Sequence, residues 1–333
     1  MSSSHYASFA RQDFGLRAAV LMVWLCFCCG SVNLGAANVP SVAATNRPFR
    51  LAISSNMFTD VNENDARAAM KVWIMTVARE RGIPVDPDPH ICQTVEELVQ
   101  FSRSNEVDGY GLITTEYARL SKEMEFDRVA AASNGGSCKE DYVLLVRQDS
   151  GLERIEQLQG RSLNVLQNPR MSLALIWLDT ILLQERQEHA ARFFKRITPF
   201  NKASRVALPV FFRQADACLL TRRSFKVMGE LNPQVGQQMR IVASSPEIVP
   251  SIFVFRKDFV SPFRAQILAE MARMSETPAG QQILVLTQSE RIEEHPVSCL
   301  DSTLALLATH AKLFATTNLV QSNRPGATTP SLP

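Results

Sequence analysis

The sequence predicts an α/β fold, because short apolar segments alternate with amphipathic helical segments along most of the chain. The run at 49–53 is typical of a buried strand and ends in polar residues. In the next segment, apolar side chains recur at helical spacing, at Ala66, Met70, Trp73 and Val77. Asn62 is placed to cap that helix, and Gly82 ends it. Strands separated by helices of this length are typical of a parallel sheet with crossover helices.

The same alternation continues toward the C-terminus. Further strands are predicted at 85–92, 107–113, 142–147, 162–166, 193–197, 215–220, 239–243 and 252–255. Further helices are predicted at 94–104, from 116, and at 152–159, 173–188, 205–213, 225–231, 262–274, 281–286 and 300–313. Ligands bind beyond the carboxyl ends of strands in such sheets. We therefore expect the polar loops that follow the strands at 49–53 and 107–113 to share one rim.

The composition is that of a globular protein and gives no sign of a nucleic-acid partner. The 333 residues are 46% hydrophobic and 20% charged, and the formal net charge is +2. Basic residues are scattered and have acidic neighbours, so no polyanion-binding patch is predicted. The length suffices for one large or two medium domains.

The N-terminus has the pattern of a secretory leader. Arg11 and Arg17 precede an apolar run at 18–29, and small residues follow up to Ala37. We predict a signal peptide at 1–37, with Gly35 at the −3 position of the cleavage site, and a linker at 38–48. A retained membrane anchor is the alternative, although a spanning helix needs about 20 apolar residues.

Three of the seven cysteines lie in this leader, at Cys26, Cys28 and Cys29, where a lipoprotein is a further alternative. The remaining four are Cys92, Cys138, Cys218 and Cys299. In an oxidising compartment four cysteines allow three disulfide pairings, and buried free thiols are an equal alternative. These four cysteines form no CxxC motif and no Cys/His cluster, so no metal site is predicted.

The sequence contains no pattern typical of a catalytic site. It has no GxSxG, no P-loop and no GxGxxG, and its histidines are isolated. The pairs at 96–97 and 293–294 are glutamates, which we interpret as solvated helix faces rather than acid/base pairs. We therefore predict a protein that is not an enzyme and that has no cofactor.

Two segments carry a resemblance to a known family. The first is the run DYVLLVRQDSGL at 141–152, and the second is QADAC at 214–218 with IVASSP at 241–246 and FVFRKD at 253–258. Both resemble the phosphate/phosphonate-binding branch of type II periplasmic solute-binding proteins of ABC transporters. The similarity covers about 49–294.

The resemblance implies two Rossmann-like lobes joined by two crossover strands. Lobe 1 would hold 49–137 and 250–315, and lobe 2 would hold 138–249 with the hinge strands at its borders. The tail at 316–333 is rich in Thr, Ser and Pro and is expected to be disordered.

The function that the resemblance implies is that of a monomeric periplasmic receptor of an ABC importer. It would capture a small anion, phosphonate-like, phosphate-like or carboxylate, by hinge closure, and would pass it to a permease in the inner membrane. One alternative is a ligand-sensing module for a membrane sensor kinase. Others are an enzyme on the same fold and a non-catalytic relative whose cleft has degenerated.

The strongest candidate for ligand binding is the helix start at 168–172. Asn168 can cap the first turn, and free N–H groups at a helix start attract anions. Arg170 would add a charged fork, and Ser172 a hydroxyl. Relatives carry a Ser/Thr-rich tripeptide here, which only Ser172 matches, so a larger or carboxylate-bearing anion fits Arg170 better. The alternative is a structural helix with a solvated arginine.

Other candidates follow from the strand ends and from the resemblance. The loop positions at the predicted rim are Ser54, Ser55, Asn56, Thr114, Thr115 and Tyr117. Similarity to the family adds Asp216 as a cleft carboxylate and Ser204, near Lys202, as a ligand contact. The alternative for each is an ordinary cap, a turn or, for Tyr117, a packing aromatic.

Overall fold

The structure, a computed structural model, describes residues 47–58 and 61–322. The predicted leader with its cleavage site, and the last eleven residues, lie outside the described residues. Among the described residues, no helix combines the length and the apolar character needed to cross a membrane.

The described ranges contain eleven strands. They are β1 (Leu51–Ser54), β2 (His90–Cys92), β3 (Gly109–Ile113), β4 (Phe126–Ser133), β5 (Tyr142–Arg147), β6 (Ser162–Leu166), β7 (Arg196–Phe200), β8 (Ala217–Thr221), β9 (Met239–Ser244), β10 (Ser251–Arg256) and β11 (Arg291–Pro296).

The same ranges contain eleven α-helices. They are α1 (Glu63–Arg81), α2 (Val95–Ser104), α3 (Thr114–Leu120), α4 (Ala174–Gln184), α5 (Ala190–Phe193), α6 (Ala203–Phe211), α7 (Arg222–Leu231), α8 (Pro233–Gln238), α9 (Arg264–Ala272), α10 (Pro278–Leu286) and α11 (Asp301–Ser322).

The strands form two mixed sheets. The first, which defines lobe 1, has the order β11-β4-β10-β3-β1-β2, with β2, β1 and β3 parallel and the others antiparallel. The second, which defines lobe 2, has the order β7-β6-β8-β5-β9, with β7, β6 and β8 parallel. The predicted α/β class with two Rossmann-like lobes is confirmed.

Local signals in the sequence explain the first crossover helix. The Asn62 side chain accepts a hydrogen bond from the Asn64 N–H, and Gly82 ends α1 in the left-handed conformation with φ 65°. The helix buries Met70 and Ile74 against the sheet, and each such side chain contributes about 1.5–3 kcal/mol.

The chain crosses between the lobes twice, at 134–141 and at 245–250, and we call these two segments the hinge. Glu140 and Ile248 exchange backbone hydrogen bonds of 2.7 and 2.9 Å across it. The helix α11 is a third link, because the Thr303 hydroxyl accepts a 2.8 Å hydrogen bond from the Val249 N–H while Leu306 packs into the core of lobe 2.

Two strands of lobe 1 were not predicted. The glutamates at 293–294 lie in β11, which pairs with β4, and not on a helix as expected. Glu293 pairs with Ala131, a partner more than 160 residues away in sequence, so tertiary pairing outweighs the local pattern.

The last described helix is longer than predicted. It continues to Ser322, beyond the expected boundary of the tail at 316, because no glycine or proline interrupts 301–322 and the Thr316 hydroxyl donates back to the Lys312 carbonyl.

The four described cysteines are free thiols. Burial raises the pKa of Cys92 to about 12, and burial with the nearby Cys138 raises the pKa of Cys299 to about 11. A thiol with a raised pKa is a poor nucleophile at neutral pH.

Candidate ligand-binding cleft

A cleft of about 420 Å³ lies between the two lobes, which is in the usual size range for ligand pockets. The wall from lobe 1 consists of Asn56 and Phe58, which follow β1. The wall from lobe 2 consists of Val165, Leu166, Gln167, Asn168, Pro169, Met171, Ser172, Leu175, Ile197 and Pro199. Of the predicted site residues, Asn56, Asn168 and Ser172 therefore line it.

The rim of lobe 1 is organised around a buried carboxylate, that of Glu116, which is only 6% exposed. Its Oε1 accepts hydrogen bonds from the Ser54 hydroxyl at 2.6 Å and from the Asn56 Nδ2 at 2.9 Å. Its Oε2 accepts the Ile113 N–H at 3.1 Å. Because a carboxylate only accepts hydrogen bonds, Asn56 must turn its NH₂ group toward Glu116, and its Oδ1 is left for another donor.

The residues after β3 serve the hinge and the core. The buried Thr114 donates its hydroxyl to the Val249 carbonyl at 2.5 Å and its N–H to the Pro250 carbonyl at 2.9 Å. Tyr117 is buried against Phe126, with ring centroids 5.4 Å apart, and its pKa is raised by that burial. Thr114 and Tyr117 thus have structural contacts, whereas Ser55 and Thr115 remain half-buried beside the rim.

The rim of lobe 2 begins with a capped turn. The Asn168 Oδ1 accepts the Met171 N–H at 3.1 Å, and Pro169 occupies the first position of a 3₁₀ turn that leads to α4. This cap leaves the Nδ2 of Asn168 as a free donor. The Ser172 hydroxyl donates to the Pro250 carbonyl at 3.0 Å, so Ser172 is tied to the hinge.

Arg170 does not line the cleft. Its side chain is about 5% exposed, its Nε donates to the Glu140 Oε1 at 2.5 Å, and its Nη1 lies 3.4 Å from the Ala132 carbonyl of lobe 1. Its own carbonyl accepts the Tyr142 hydroxyl at 2.8 Å. The expectation that the Arg170 guanidinium binds the ligand is therefore corrected. The guanidinium pairs with the Glu140 carboxylate of the hinge, because a buried cation requires a partner.

Asp216 lies at the end of the second sheet that is remote from the cleft. It precedes β8 and accepts hydrogen bonds from the Ser162 N–H at 2.9 Å and the Ser162 hydroxyl at 2.7 Å, at the start of the parallel β6. Burial opposes ionisation of this carboxyl, but the bonds from Ser162 and the charges of Arg161 and Lys195 outweigh it and lower its pKa. The expectation of a cleft carboxylate at Asp216 is corrected, because the amino ends of parallel strands face away from the ligand.

Ser204 is at the cleft end of the same sheet. It is exposed in the first turn of α6, which follows the carboxyl end of β7, and the exposed Lys202 precedes that helix. Neither residue lines the cleft in this conformation.

Sequence reasoning missed the apolar part of the cleft wall and Glu116. Phe58 lies two residues after Asn56, and Leu175 is in the first turn of α4. The available signal for Glu116 was its position three residues after the end of β3, where its side chain can cap the backbone of Ile113.

The cleft wall is electrically neutral. None of its lining residues is charged, and in the described part of the chain no group of three or more His, Cys, Asp or Glu side chains could hold a metal ion.

The fold is similar to that of several solved structures. A protein of Xanthomonas citri bound to ATP is 16% identical, with a TM-score of 0.55, and the match covers 80% of this chain and 98% of that one. A binding protein component of an ABC phosphonate transporter from Pseudomonas aeruginosa is 12% identical, with a TM-score of 0.52, and the match covers 81% and 89%. A protein of Prochlorococcus marinus in complex with methylphosphonate is 14% identical, with a TM-score of 0.51, and the match covers 80% and 98%.

No protein of curated function matches the sequence. Residues 57–295 match the family described as the periplasmic substrate-binding protein of the phosphonate ABC transporter. The chain therefore belongs to this family of periplasmic, solute-binding receptors, which bind a small molecule for an ABC permease.

Proposed function

We propose that this protein captures a small anion between its two lobes by hinge closure and delivers it to an ABC permease in the inner membrane. The observation that carries the proposal is the cleft itself, in which the carboxyl ends of β1 and β6 contribute amide side chains from opposite lobes, at Asn56 and Asn168. A solute that contacts both amides would favour closure, because it binds groups of both lobes at once.

The lining of the cleft would hold the anion by hydrogen-bond donors, because none of its side chains is charged. Asn168 has a free Nδ2 donor, and the capped turn at 169–171 leads into α4, whose amino end has the positive pole of its dipole. Lys202 and Ser204 lie after β7 at the same end of the sheet and would contribute charge and a hydroxyl on closure. Arg170 would act on the hinge and not on the solute.

The similar proteins support this ligand class. One is bound to methylphosphonate and another to ATP, and both ligands carry tetrahedral phosphorus groups with negative charge. Ser172 supplies a hydroxyl to the cleft lining in this chain, although that hydroxyl donates to the Pro250 carbonyl of the hinge.

A panel of anions tests the proposal. Phosphonate, phosphate, sulfonate and carboxylate solutes would be titrated into the purified protein by calorimetry. We expect at least one class to bind, and Asn168→Ala to weaken that binding roughly tenfold through loss of a donor to a charged group. Thr309→Ala, on the exposed face of α11, is the matched control. Failure of every anion to bind, together with binding of a neutral solute, would contradict the anion proposal.

Delivery to a permease is tested in cells. Deletion of the gene for this protein should abolish uptake of the labelled solute. The mature protein isolated from the periplasm should begin at Asn38. In solution it should be a monomer by light scattering. If uptake persists while solute-dependent gene expression is lost, the receptor serves a sensor kinase instead.

A further inference from the structure

The cleft has an apolar half that a small inorganic anion would leave exposed. Eight of its twelve lining residues are apolar. The register between β6 and the edge strand β7 pairs Val165 with Pro199 and Leu163 with Ile197, so Val165, Ile197 and Pro199 share one face of the sheet. Met171, in the turn before α4, and Leu175, in the first turn of α4, line the same cleft.

Part of this apolar half is accessible to solvent, although Val165 and Met171 are each only 6% exposed. Leu175 is 43% exposed, Pro199 is exposed and Ile197 is half-buried. Contiguous exposed apolar surface that adjoins a few polar groups is typical of a ligand-binding pocket.

The loop after β1 brings polar and apolar groups to the cleft together. The Phe58 N–H donates to the Ser55 carbonyl at 3.1 Å, which fixes the turn that presents both Asn56 and Phe58. Asn56 therefore lies beside the polar end of the cleft, and Phe58 is a half-buried aromatic side chain from lobe 1.

We propose that the solute has an apolar tail, an alkyl chain or an aryl ring, that lies between β7 and α4 while its acidic head lies near Asn168. This inference rests on the proposed function, since it places the head at the anion site. The absence of charged side chains among the described lining residues favours an apolar tail over a second charged group. Each methylene of the tail that becomes buried in the apolar half of the cleft should raise the affinity about fourfold.

Three chain-length series test the proposal. Methyl-, butyl-, hexyl- and phenylphosphonate, and the matching sulfonates and carboxylates, would be titrated by calorimetry. We expect hexyl solutes to bind more tightly than methyl solutes of the same head by about 60-fold or more, which corresponds to burial of at least three of the five added methylenes. Equal or tighter binding of the methyl solute would overturn the inference and leave the proposed function intact. If hexanol binds as tightly as the hexyl acids, the proposal of an anionic solute is contradicted, while the inference of an apolar tail still holds.

Variants locate the tail. Leu175→Ala and Ile197→Ala should reduce the affinity ratio of the hexyl to the methyl solute by about fivefold each. Leu231→Ala, at a residue of lobe 2 that is 82% exposed and far from the lining, should leave both affinities unchanged. If neither Leu175→Ala nor Ile197→Ala changes the ratio of the hexyl to the methyl affinity, the tail does not lie between β7 and α4, and the inference is wrong.

Discussion

The two rims of the cleft use similar polar residues in different ways. In lobe 1, Ser54 and Asn56 donate to Glu116, a carboxylate of the same lobe. In lobe 2, Arg170 and Ser172 donate to Glu140 and to the Pro250 carbonyl, which belong to the hinge. The cleft-lining Asn56 is therefore bonded within its own lobe, where only the neighbouring Thr114 donates to the hinge, whereas in lobe 2 the cleft-lining Ser172 itself donates to the segments about which the lobes would rotate.

This difference assigns different roles to the two walls. A ligand that displaces the turn around Asn168 acts on the hinge through its neighbours Arg170 and Ser172. A ligand that contacts Asn56 acts on Glu116, whose connection to the hinge is indirect, through Thr114 of the same helix. Coupling between binding and closure is therefore expected to arise mainly in lobe 2.

The largest expected effect comes from breaking the buried ion pair at the hinge. Glu140→Ala leaves the Arg170 guanidinium buried without its partner, which should lower the free energy of unfolding by about 3–5 kcal/mol. Urea unfolding measures this loss. The double variant Glu140→Leu with Arg170→Met removes both charges and should recover most of it. A loss below about 1 kcal/mol in the single variant would show that the pair is not buried in solution.

A smaller effect is expected at the corresponding carboxylate of lobe 1. Glu116→Gln replaces one acceptor oxygen by an NH₂ group, so one of the donors from Ser54, Asn56 or Ile113 loses its partner, at a cost of about 1–3 kcal/mol. Glu96→Gln, in the exposed first turn of α2, is the control and should have little effect. Equal urea midpoints for the two variants would contradict the structural role of Glu116.

A matched pair of serine variants sharpens the comparison between the rims. Ser54→Ala and Ser172→Ala each remove one hydroxyl donor and should each cost about 0.5–1.5 kcal/mol. Only Ser172→Ala should also change the distribution of distances between the lobes, measured by double electron–electron resonance on spin labels without ligand. A change in both variants, or in neither, would argue against the distinction.

The smallest effect is expected at the far end of lobe 2. The pKa of Asp216 is lowered in the folded protein, so its ionised form stabilises the fold above the unfolded pKa of about 3.9, and this contribution is lost as the pH falls through the folded value. Asp216→Asn should therefore be slightly less stable than the natural protein at pH 7, and the difference should shrink below about pH 4. Thermal unfolding across pH measures it. Solute affinity should not change, since Asp216 is remote from the cleft.

Features encoded by neighbouring residues could be predicted from the sequence. The helix α1 begins after Asn62 and ends at Gly82 because its caps and its apolar face are local. The α/β class followed from the same alternation, and the two-lobed architecture followed from the resemblance to a family.

Features that depend on distant partners could not be predicted in this way. The strands β4 and β11 exist because they pair with each other, although their sequences do not show a strong strand pattern. The apolar wall of the cleft combines Phe58 of lobe 1 with Leu175 and Ile197 of lobe 2, which are far apart in sequence.

The helix start at 168–172 illustrates the boundary between the two kinds of information. Its capping was evident from Asn168 and Pro169, because a cap needs only the residues that follow it. The direction of the Arg170 side chain was not evident from the sequence. It depends on Glu140, thirty residues earlier, and on the burial that makes an unpaired guanidinium costly. The sequence thus determines hydrogen bonds between neighbouring residues, such as a helix cap. The partner of a buried charge is determined only by the tertiary structure, because it depends on how the lobes and the hinge pack together.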